Sequence, residues 1–570
     1  MIIRCIFLLL TTCAFALPLS ADSLPQLSRD FWAWRAIEQP FSGDDIPRIE
    51  RPRGLAIDWS AEKVASRRGE LAEFERRWRA LRADGEPVAT QVDWRLMGSA
   101  LARVRWELDL EQGWRRNPDF YVEQTLGSVQ ELLLAPPPFG EARQAELLSR
   151  VRSIPVTVAA AKRNLTDMRR PFAQLSIDSL ADVASRWQVL LNAIEPQLNV
   201  VTRAELQKDS PAAMAALTSF REWLKQKLPS LDKETAIGRE NYLFFLRNVA
   251  LSPFTPEQMI AMGRQELDRT VAFDAYEANK NARLPALPLL ATQEAQIERE
   301  RKDEQEIRAF LEAHDVLTVP SWMPHYLYVP LPEYLKPFGD MSEQDDFAGP
   351  SRSADPGIRY IPQPSPKLGY FALSDAQDPR AGTVHEGVPG HYFQLMLSWK
   401  HPDEVRRHYY DSGANEGIGF YAEEMMLQAG LFDDSPRTRE MIYSYARLRA
   451  LRVEVDVRLA LGEFTLEQAT DYLARTVPMD NATAHEEAAR FASTPGQAIT
   501  YQIGKLQILA LLADARRKQG DGFSLRAFHD SVWLNGNVPL SLQRWEMLGD
   551  RSEVPDMTRA DAASGNQSRK

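Results

Sequence analysis

Apolar residues recur at three- and four-residue spacing between charged residues from about residue 25 to 320. This spacing gathers them on one side of a helix and is typical of amphipathic helices. The same pattern resumes after residue 385 and continues to about 550. The clearest examples are 92–110, 177–206 and 256–276. The last follows T-P-E-Q at 255–258, which predicts a helix start capped by Thr255. The sequence therefore predicts a mainly α fold.

The stretch between residues 319 and 384 has a different pattern. Proline and glycine become frequent, and two short runs, 325–331 and 368–374, carry the aromatic and apolar residues of β-strands. We expect a small sheet and long loops here, leading directly into the segment that begins at Thr383.

The start of the chain is typical of a signal peptide. A basic residue, Arg4, precedes an apolar run too short to span a bilayer, and small residues of a cleavage site follow. We expect cleavage after Ala21, so that residues 1–21 are removed, with Ala16 as the alternative site. An uncleaved membrane anchor is the alternative interpretation. After cleavage no membrane span is expected, and the protein would be exported to the periplasm or the extracellular space.

The remaining chain shows no clear linker that would divide it. Residues 22–551 are expected to form a single helical unit, with a scaffold over 22–318 and the small sheet and site helices over 319–551. The polar segment 552–570 predicts a disordered tail.

Composition limits the chemistry. Of the 570 residues 44% are hydrophobic and 26% charged, and the net charge of -11 argues against a nucleic-acid partner. The chain's 2 cysteines, Cys5 and Cys13, both lie in the signal peptide. The exported chain therefore has no thiol nucleophile or thiolate ligand, and any metal must be held by His, Asp or Glu.

The segment T-V-H-E-G-V-P-G-H-Y-F-Q, 383–394, resembles the zinc motif H-E-x-x-H with proline in the place of the second histidine. The next histidine, His391, lies six positions after His385, which on a straight helix places the two about 120° apart. Pro389 cannot continue a helix, and Gly390 permits backbone angles denied to other residues. The resulting bend would turn both imidazoles toward one metal ion. The alternative is two unrelated polar residues near a turn.

A second segment, 411–426, supplies candidate carboxylates. A zinc hydrolase with two histidine ligands needs a third protein ligand, commonly a carboxylate, and Glu416 is the candidate. Glu423 lies two helical turns further on the same face and is expected to hydrogen-bond a ligand histidine. The alternative for Glu423 and Glu424 is a solvated helix face, which we prefer for Glu424.

A third segment, S-T-P-G-Q-A-I-T-Y-Q-I-G at 493–504, contains Tyr501. A tyrosine hydroxyl can stabilise the oxyanion that develops opposite a metal, although Tyr501 is alternatively a core aromatic residue. Arg490, just upstream, is a candidate to bind a substrate carboxylate, with a structural ion pair as the preferred alternative.

Together the three segments resemble the DUF885 family of bacterial proteins, which is grouped by resemblance with the gluzincin metallopeptidases. The resemblance implies a large helical, two-lobed, metallopeptidase-like fold with a small sheet beside the active-site helix, similar to the neurolysin and carboxypeptidase Taq groups. It also implies His385, His391 and Glu416 as zinc ligands and Glu386 as general base.

The chain departs from the family pattern at two places. Relatives usually have tryptophan in E-G-W-A, where this chain has Ile418 and Gly419. A histidine is also expected in a D-x-G-x-H segment, where this chain has Arg458 and Ala460. If that histidine contributes to oxyanion binding or substrate contact in relatives, we expect this protein to be slower or differently selective.

The function expected from the sequence is peptide hydrolysis with one Zn²⁺ per chain. Glu386 would take the proton of the attacking water, and the run 368–374 with Tyr370 would pair with an extended peptide as an edge strand. Two alternatives are a zinc hydrolase of a non-peptide amide or ester, and a weakly active binding protein derived from such an enzyme.

Overall fold

The computed structural model describes residues 23–42, 49–338, 344–345, 350–477 and 479–555. The predicted signal peptide lies outside the described residues, as does the predicted tail from residue 556 onward. Within the described residues the fold is mainly α with one small sheet, which confirms the predicted fold class. The two-lobed shape and the division at residue 318 stay predictions.

Helices form most of the first part of the chain. They are α1 (Leu24–Glu38), α2 (Ala61–Ala80), α3 (Val88–Arg105), α4 (Gly113–Arg116), α5 (Asp119–Val122), α6 (Ser128–Leu134), α7 (Glu141–Asn164), α8 (Arg170–Ser179), α9 (Val183–Ile194), α10 (Val200–Lys227), α11 (Arg239–Phe244), α12 (Pro256–Asn281) and α13 (Gln293–Ala313). α12 begins with the predicted capping box, in which Thr255 and Gln258 satisfy each other's backbone N–H groups.

Helices also form most of the second part. They are α14 (Tyr370–Asp375), α15 (Arg380–Gly382), α16 (His391–Trp399), α17 (Glu404–His408), α18 (Ser412–Ala429), α19 (Pro436–Leu461), α20 (Leu466–Thr476), α21 (Asn481–Ser493), α22 (Thr500–Gln519), α23 (Leu525–Leu534) and α24 (Leu540–Leu548). Wider π-helical turns occur at Trp106–Glu111, Glu123–Gly127, Phe245–Val249 and Thr383–Gly387.

The small sheet contains β1 (Leu327–Pro330), β2 (Gln344–Asp345) and β3 (Ile358–Ile361). β3 lies in the middle, parallel to β1 and antiparallel to β2. The predicted run 325–331 is therefore a strand over most of its length. Tyr326 and Tyr328 pack in one core with Val384 and Val388, so the sheet lies beside the histidine segment.

The prediction of a strand at 368–374 is wrong, because this run forms α14. Gly369 begins the helix, and its carbonyl accepts a hydrogen bond from the Leu373 N–H. The rings of Tyr370 and Phe371 both pack on Tyr445 of α19. Packing against a neighbouring helix thus overrides the strand preference of the aromatic residues.

The site is surrounded by paired helices. α12 packs along α19, and α18 packs along α22, so the segments that carry Glu416 and Tyr501 are neighbours. Within the described residues, every helix is too short or too polar to cross a membrane.

Candidate metal centre

The histidine segment is bent at Pro389 and Gly390. His385 lies in the π-helical turn Thr383–Gly387, the Val388–Pro389 peptide is cis, and His391 begins α16. A side chain at Gly390 would collide with the carbonyl oxygen of His385. The backbone angles of Gly390 are φ -74° and ψ -134°, and this ψ value lies outside the α and β ranges of other residues. Glycine is therefore required here for space, and its backbone angles agree with the freedom that the sequence suggested.

The bend brings the two imidazoles together with one carboxylate. The ring centroids of His385 and His391 lie 4.6 Å apart. Glu416 Oε2 lies 3.5 Å from His385 Nε2 and 3.2 Å from His391 Nε2. Ligands that surround zinc tetrahedrally at ~2.1 Å are separated from each other by about 3.4 Å. Both distances therefore suit one ion bound between these three atoms.

The polar atoms of this triad favour a cation. Glu416 Oε2 is buried and has no hydrogen-bond partner among the described residues. Burial alone would raise the pKa of Glu416, but the His391 and His385 imidazoles hold it well below its usual range. Two imidazoles and a carboxylate are a ligand set that zinc accepts, leaving its fourth position open.

The electrostatic surroundings of His385 also favour positive charge. Burial and the Arg449 guanidinium act to lower the pKa of His385, but the carboxylates of Glu416, Glu423 and Glu386 outweigh them and raise it to about 9. These carboxylates stabilise positive charge at the centre of the triad, as a divalent ion would supply.

Glu423 orients the first imidazole. Its Oε1 atom lies 2.8 Å from His385 Nδ1 and 2.9 Å from the Arg449 guanidinium. The Arg449 guanidinium also lies 3.4 Å from Nδ1. The tautomer with the proton on Nδ1, beside the Glu423 carboxylate, is the one that directs the Nε2 lone pair to the metal position. Arg449 was not predicted, since an arginine on a helix such as α19 is ordinarily a surface residue.

Replacing Glu423 with glutamine is expected to weaken zinc binding about 10- to 100-fold, because outer partners of ligand histidines contribute on this scale. Titration with a competing chelator measures this affinity. Glu75→Gln is the matched control, since Glu75 is also a buried carboxylate held by an arginine, Arg105, at a distant position. Equal zinc affinities of the two variants would contradict a role for Glu423.

Glu386 follows His385 within the same turn. Burial would raise its pKa, but His385, His391 and Arg359 lower it overall, so the carboxylate is ionised and able to accept a proton. Arg359 on β3 is itself held by Asp375, with 2.7 Å between the paired atoms. No pattern in the sequence predicted this pair.

Tyr501 lies against the triad. Its ring stacks on that of His385 with 6.2 Å between centroids, and the Arg452 guanidinium lies 5.0 Å from the tyrosine ring centroid. Burial and the Glu416 carboxylate raise the pKa of Tyr501 well above its usual value. The hydroxyl therefore keeps its proton and acts as a donor, with the Glu416 carboxylate as a hydrogen-bond partner.

Glycines set the spacing of the two helices that carry Glu416 and Tyr501. A side chain at Gly504 of α22 would collide with the carbonyl oxygen of Gly413 and lie 2.7 Å from the Gly417 Cα of α18. A side chain at Gly419 would lie 2.9 Å from His391 Cε1 and 3.0 Å from His385 Cε1. Gly419, one of the departures from the family pattern, thus leaves room for both imidazoles.

The other predicted site residues have different surroundings. Tyr370 shares a 2.5 Å hydrogen bond with Ser444 through its hydroxyl. Arg490 pairs with Glu486 at 2.7 Å, as the structural alternative predicted. The preferred interpretation of Glu424 as a solvated residue is wrong, because Glu424 pairs with the fully buried Lys505 at 2.8 Å.

The expected histidine position lies far from the triad along α19. Position 460 is eleven residues beyond Arg449, about 16 Å at helical rise. Ala460 packs in a separate core. Nearby, the Asp456 carboxylate accepts hydrogen bonds from the N–H groups of Gly496 and Ala498 at 2.9 and 2.8 Å. This part of α19 supports the segment before Tyr501 and does not reach the triad.

A large cavity approaches the site from the first part of the chain. Its volume is about 1530 Å³, and its wall includes Trp106, Trp114, Phe245, Pro495 and Gln497. The three triad residues do not line it. Gln497 accepts a hydrogen bond from Ser412, one turn before Glu416 in α18. The cavity therefore extends to the segment that precedes Tyr501.

The chain belongs to the DUF885 family, described as bacterial proteins of unknown function, whose model matches residues 48–547. No curated protein matches it significantly.

Two solved structures have a similar fold. One, described as a "putative lipoprotein of unknown function" from Shewanella oneidensis, is 19% identical, with a TM-score of 0.70 over 93% of this chain and 100% of its own. The other, a "putative lipoprotein" from Colwellia psychrerythraea, is 18% identical, with a TM-score of 0.74 over 95% of this chain and 98% of its own. At these identities the similarity shows the fold alone.

Proposed function

We propose that the protein is an exported zinc-dependent peptidase of gluzincin type. The observation that carries the proposal is the position of Glu416 Oε2, 3.5 and 3.2 Å from the Nε2 atoms of His385 and His391. A glutamate, Glu386, stands beside this triad, as the motif of zinc peptidases requires. A binding protein would have no chemical need for that glutamate.

Each residue of the site has a separate role in the proposed hydrolysis. His385, His391 and Glu416 would hold the zinc, which when bound supplies Lewis-acid activation of water and of the substrate carbonyl. Glu386 accepts the proton of the attacking water and delivers it to the leaving nitrogen as the C–N bond breaks. The hydroxyl of Tyr501 donates a hydrogen bond to the oxyanion that develops on the carbonyl oxygen. Glu423 and Arg449 keep the His385 imidazole in its binding orientation.

The substrate class proposed is a peptide or a small amide, with no nucleic acid. The net charge of -11 supports the exclusion of nucleic acid. Peptide pairing with a strand at 368–374 is not part of the proposal, because that run is α14. Export is supported by the signal-like start of the chain.

Metal content combined with a peptide-library digest tests the proposal. The purified protein is expected to contain about one zinc per chain, to cleave peptides, and to lose activity to a chelator. His391→Ala should lose the zinc, whereas His314→Ala, which changes an exposed histidine outside the site, should keep it. Bound zinc without peptide cleavage would favour hydrolysis of a non-peptide amide or ester, and absence of zinc from the wild type would refute the ligand assignment.

A further inference from the structure

Helix α23 contacts both segments that carry the candidate ligands. Trp533 Nε1 donates a hydrogen bond to the carbonyl oxygen of Pro389 at 2.7 Å. Four residues earlier, His529 lies 2.8 Å from the Tyr421 hydroxyl of α18. One helix near the end of the chain is thus joined to the bend before His391 and to the helix of Glu416.

The bond from Trp533 satisfies a carbonyl that the bend leaves exposed to the core. The turn before Pro389 ends with a bond from Val388 N–H to Thr383, and α16 begins with a bond from Gln394 N–H to Gly390. Among the described residues, no backbone N–H bonds the Pro389 carbonyl between them. Trp533 is fully buried, and its indole N–H can only donate, so this bond has one possible direction.

The bond from His529 also has a defined direction. His529 Nδ1 lies 2.7 Å from the carbonyl oxygen of Val316, which can only accept, so Nδ1 carries the proton. The other ring nitrogen, Nε2, then accepts from the Tyr421 hydroxyl. Tyr421 lies five residues after Glu416 on α18. The position of α18 relative to α23 is therefore fixed by a buried polar contact close to the candidate ligand.

We propose that Trp533 is a positioning residue of the metal centre. Its indole N–H fixes the Pro389 carbonyl, and through the two following peptide units it fixes the direction from which the His391 imidazole approaches the metal. This inference rests on the proposed zinc site, but it concerns the affinity and geometry of metal binding rather than the substrate. Trp533 touches neither metal nor substrate and acts through the backbone of the bend.

The test compares Trp533→Phe with Trp78→Phe. Trp78 is also buried, and its Nε1 donates to a backbone carbonyl, that of Trp94, at 2.8 Å. Trp78 packs in a different hydrophobic core from Trp533. Both variants lose an indole bond to a carbonyl and lose similar bulk. Zinc affinity by chelator competition and the absorption spectrum of the Co²⁺-loaded protein are measured for each, together with the melting temperature of the metal-free protein.

Trp533→Phe is expected to bind zinc about 10- to 100-fold more weakly than wild type and to change the Co²⁺ spectrum. Trp78→Phe should match wild type in both, even where its melting temperature falls as far. Equal zinc affinity and an unchanged spectrum in Trp533→Phe would overturn the inference. A purely structural role would lower the melting temperatures of both variants without separating them in metal binding.

A second variant removes the donor without removing bulk. Benzothienylalanine, incorporated at position 533, has sulfur in place of the indole N–H and nearly the same shape. This variant tests the inference if Trp533→Phe fails to fold. It is expected to bind zinc as weakly as Trp533→Phe would, and wild-type zinc affinity would overturn the inference. Failure of the proposed function is distinguishable: wild type without metal affinity refutes both proposals, whereas metal binding without peptide cleavage refutes only the peptidase.

Discussion

Replacement of Glu386 with glutamine is expected to lower kcat for peptide hydrolysis about 10²- to 10⁴-fold while the zinc content stays near that of wild type. The amide has nearly the shape of the carboxylate but cannot accept the proton of the attacking water. Glu386 is not one of the three residues whose atoms surround the metal position, so its replacement leaves the arrangement of the ligand atoms intact. Metal analysis and peptide cleavage on the same preparation measure both effects.

Glu306→Gln is the control for this substitution, because Glu306 is an exposed glutamate of α13 that pairs with Lys302. It should retain full cleavage. Peptide cleavage by Glu386→Gln at the wild-type rate would place the general base elsewhere. Loss of zinc together with activity would instead identify Glu386 as a contributor to metal binding.

Replacement of Gly390 with alanine is expected to destroy zinc binding. The added Cβ collides with the carbonyl oxygen of His385, and the backbone on both sides of this contact carries a candidate ligand. The bend must open to relieve the collision, which moves His391 away from His385. Overpacking of this kind also lowers the free energy of unfolding, by about 1–3 kcal/mol. Zinc titration and urea unfolding measure the two consequences.

Gly140→Ala provides the comparison for Gly390→Ala. Gly140 also precedes the first residue of a helix, α7, with a φ of -61°, but an added Cβ there would meet no atom within 4 Å. This variant should bind zinc as wild type does. A Gly390→Ala protein that still binds one zinc with wild-type affinity would show that the bend does not set the ligand geometry.

Local sequence was sufficient to predict the residues at the centre of the site. Pro389 cannot continue a helix, so the six-residue spacing of His385 and His391 required a bend, and the bend is present. Glu416 was predicted from the need of such a site for a third, carboxylate ligand, and Glu423 from its position two helical turns further on the same face. Each of these inferences used residues that are neighbours in sequence, where periodicity and backbone restrictions apply directly.

The supporting residues could not be predicted in this way. Arg449 and Trp533 reach the site from helices far along the chain, and each looks like an ordinary residue of an amphipathic helix. The run 368–374 has the composition of a strand and becomes a helix because α19 offers aromatic packing. Glu424 was predicted to face solvent, but it pairs with the buried Lys505, eighty-one residues later in the chain. Contacts between residues far apart in sequence determine the structure at all of these positions.

The glycine contact between α18 and α22 has a thermodynamic consequence. Main-chain atoms of Gly413 and Gly417 lie directly against Gly504, so the separation of Glu416 from Tyr501 does not depend on flexible intervening side chains. The conformational entropy of bringing these two groups together is therefore lost when the protein folds, before any ligand arrives. Binding at this site would have to order the ligand alone.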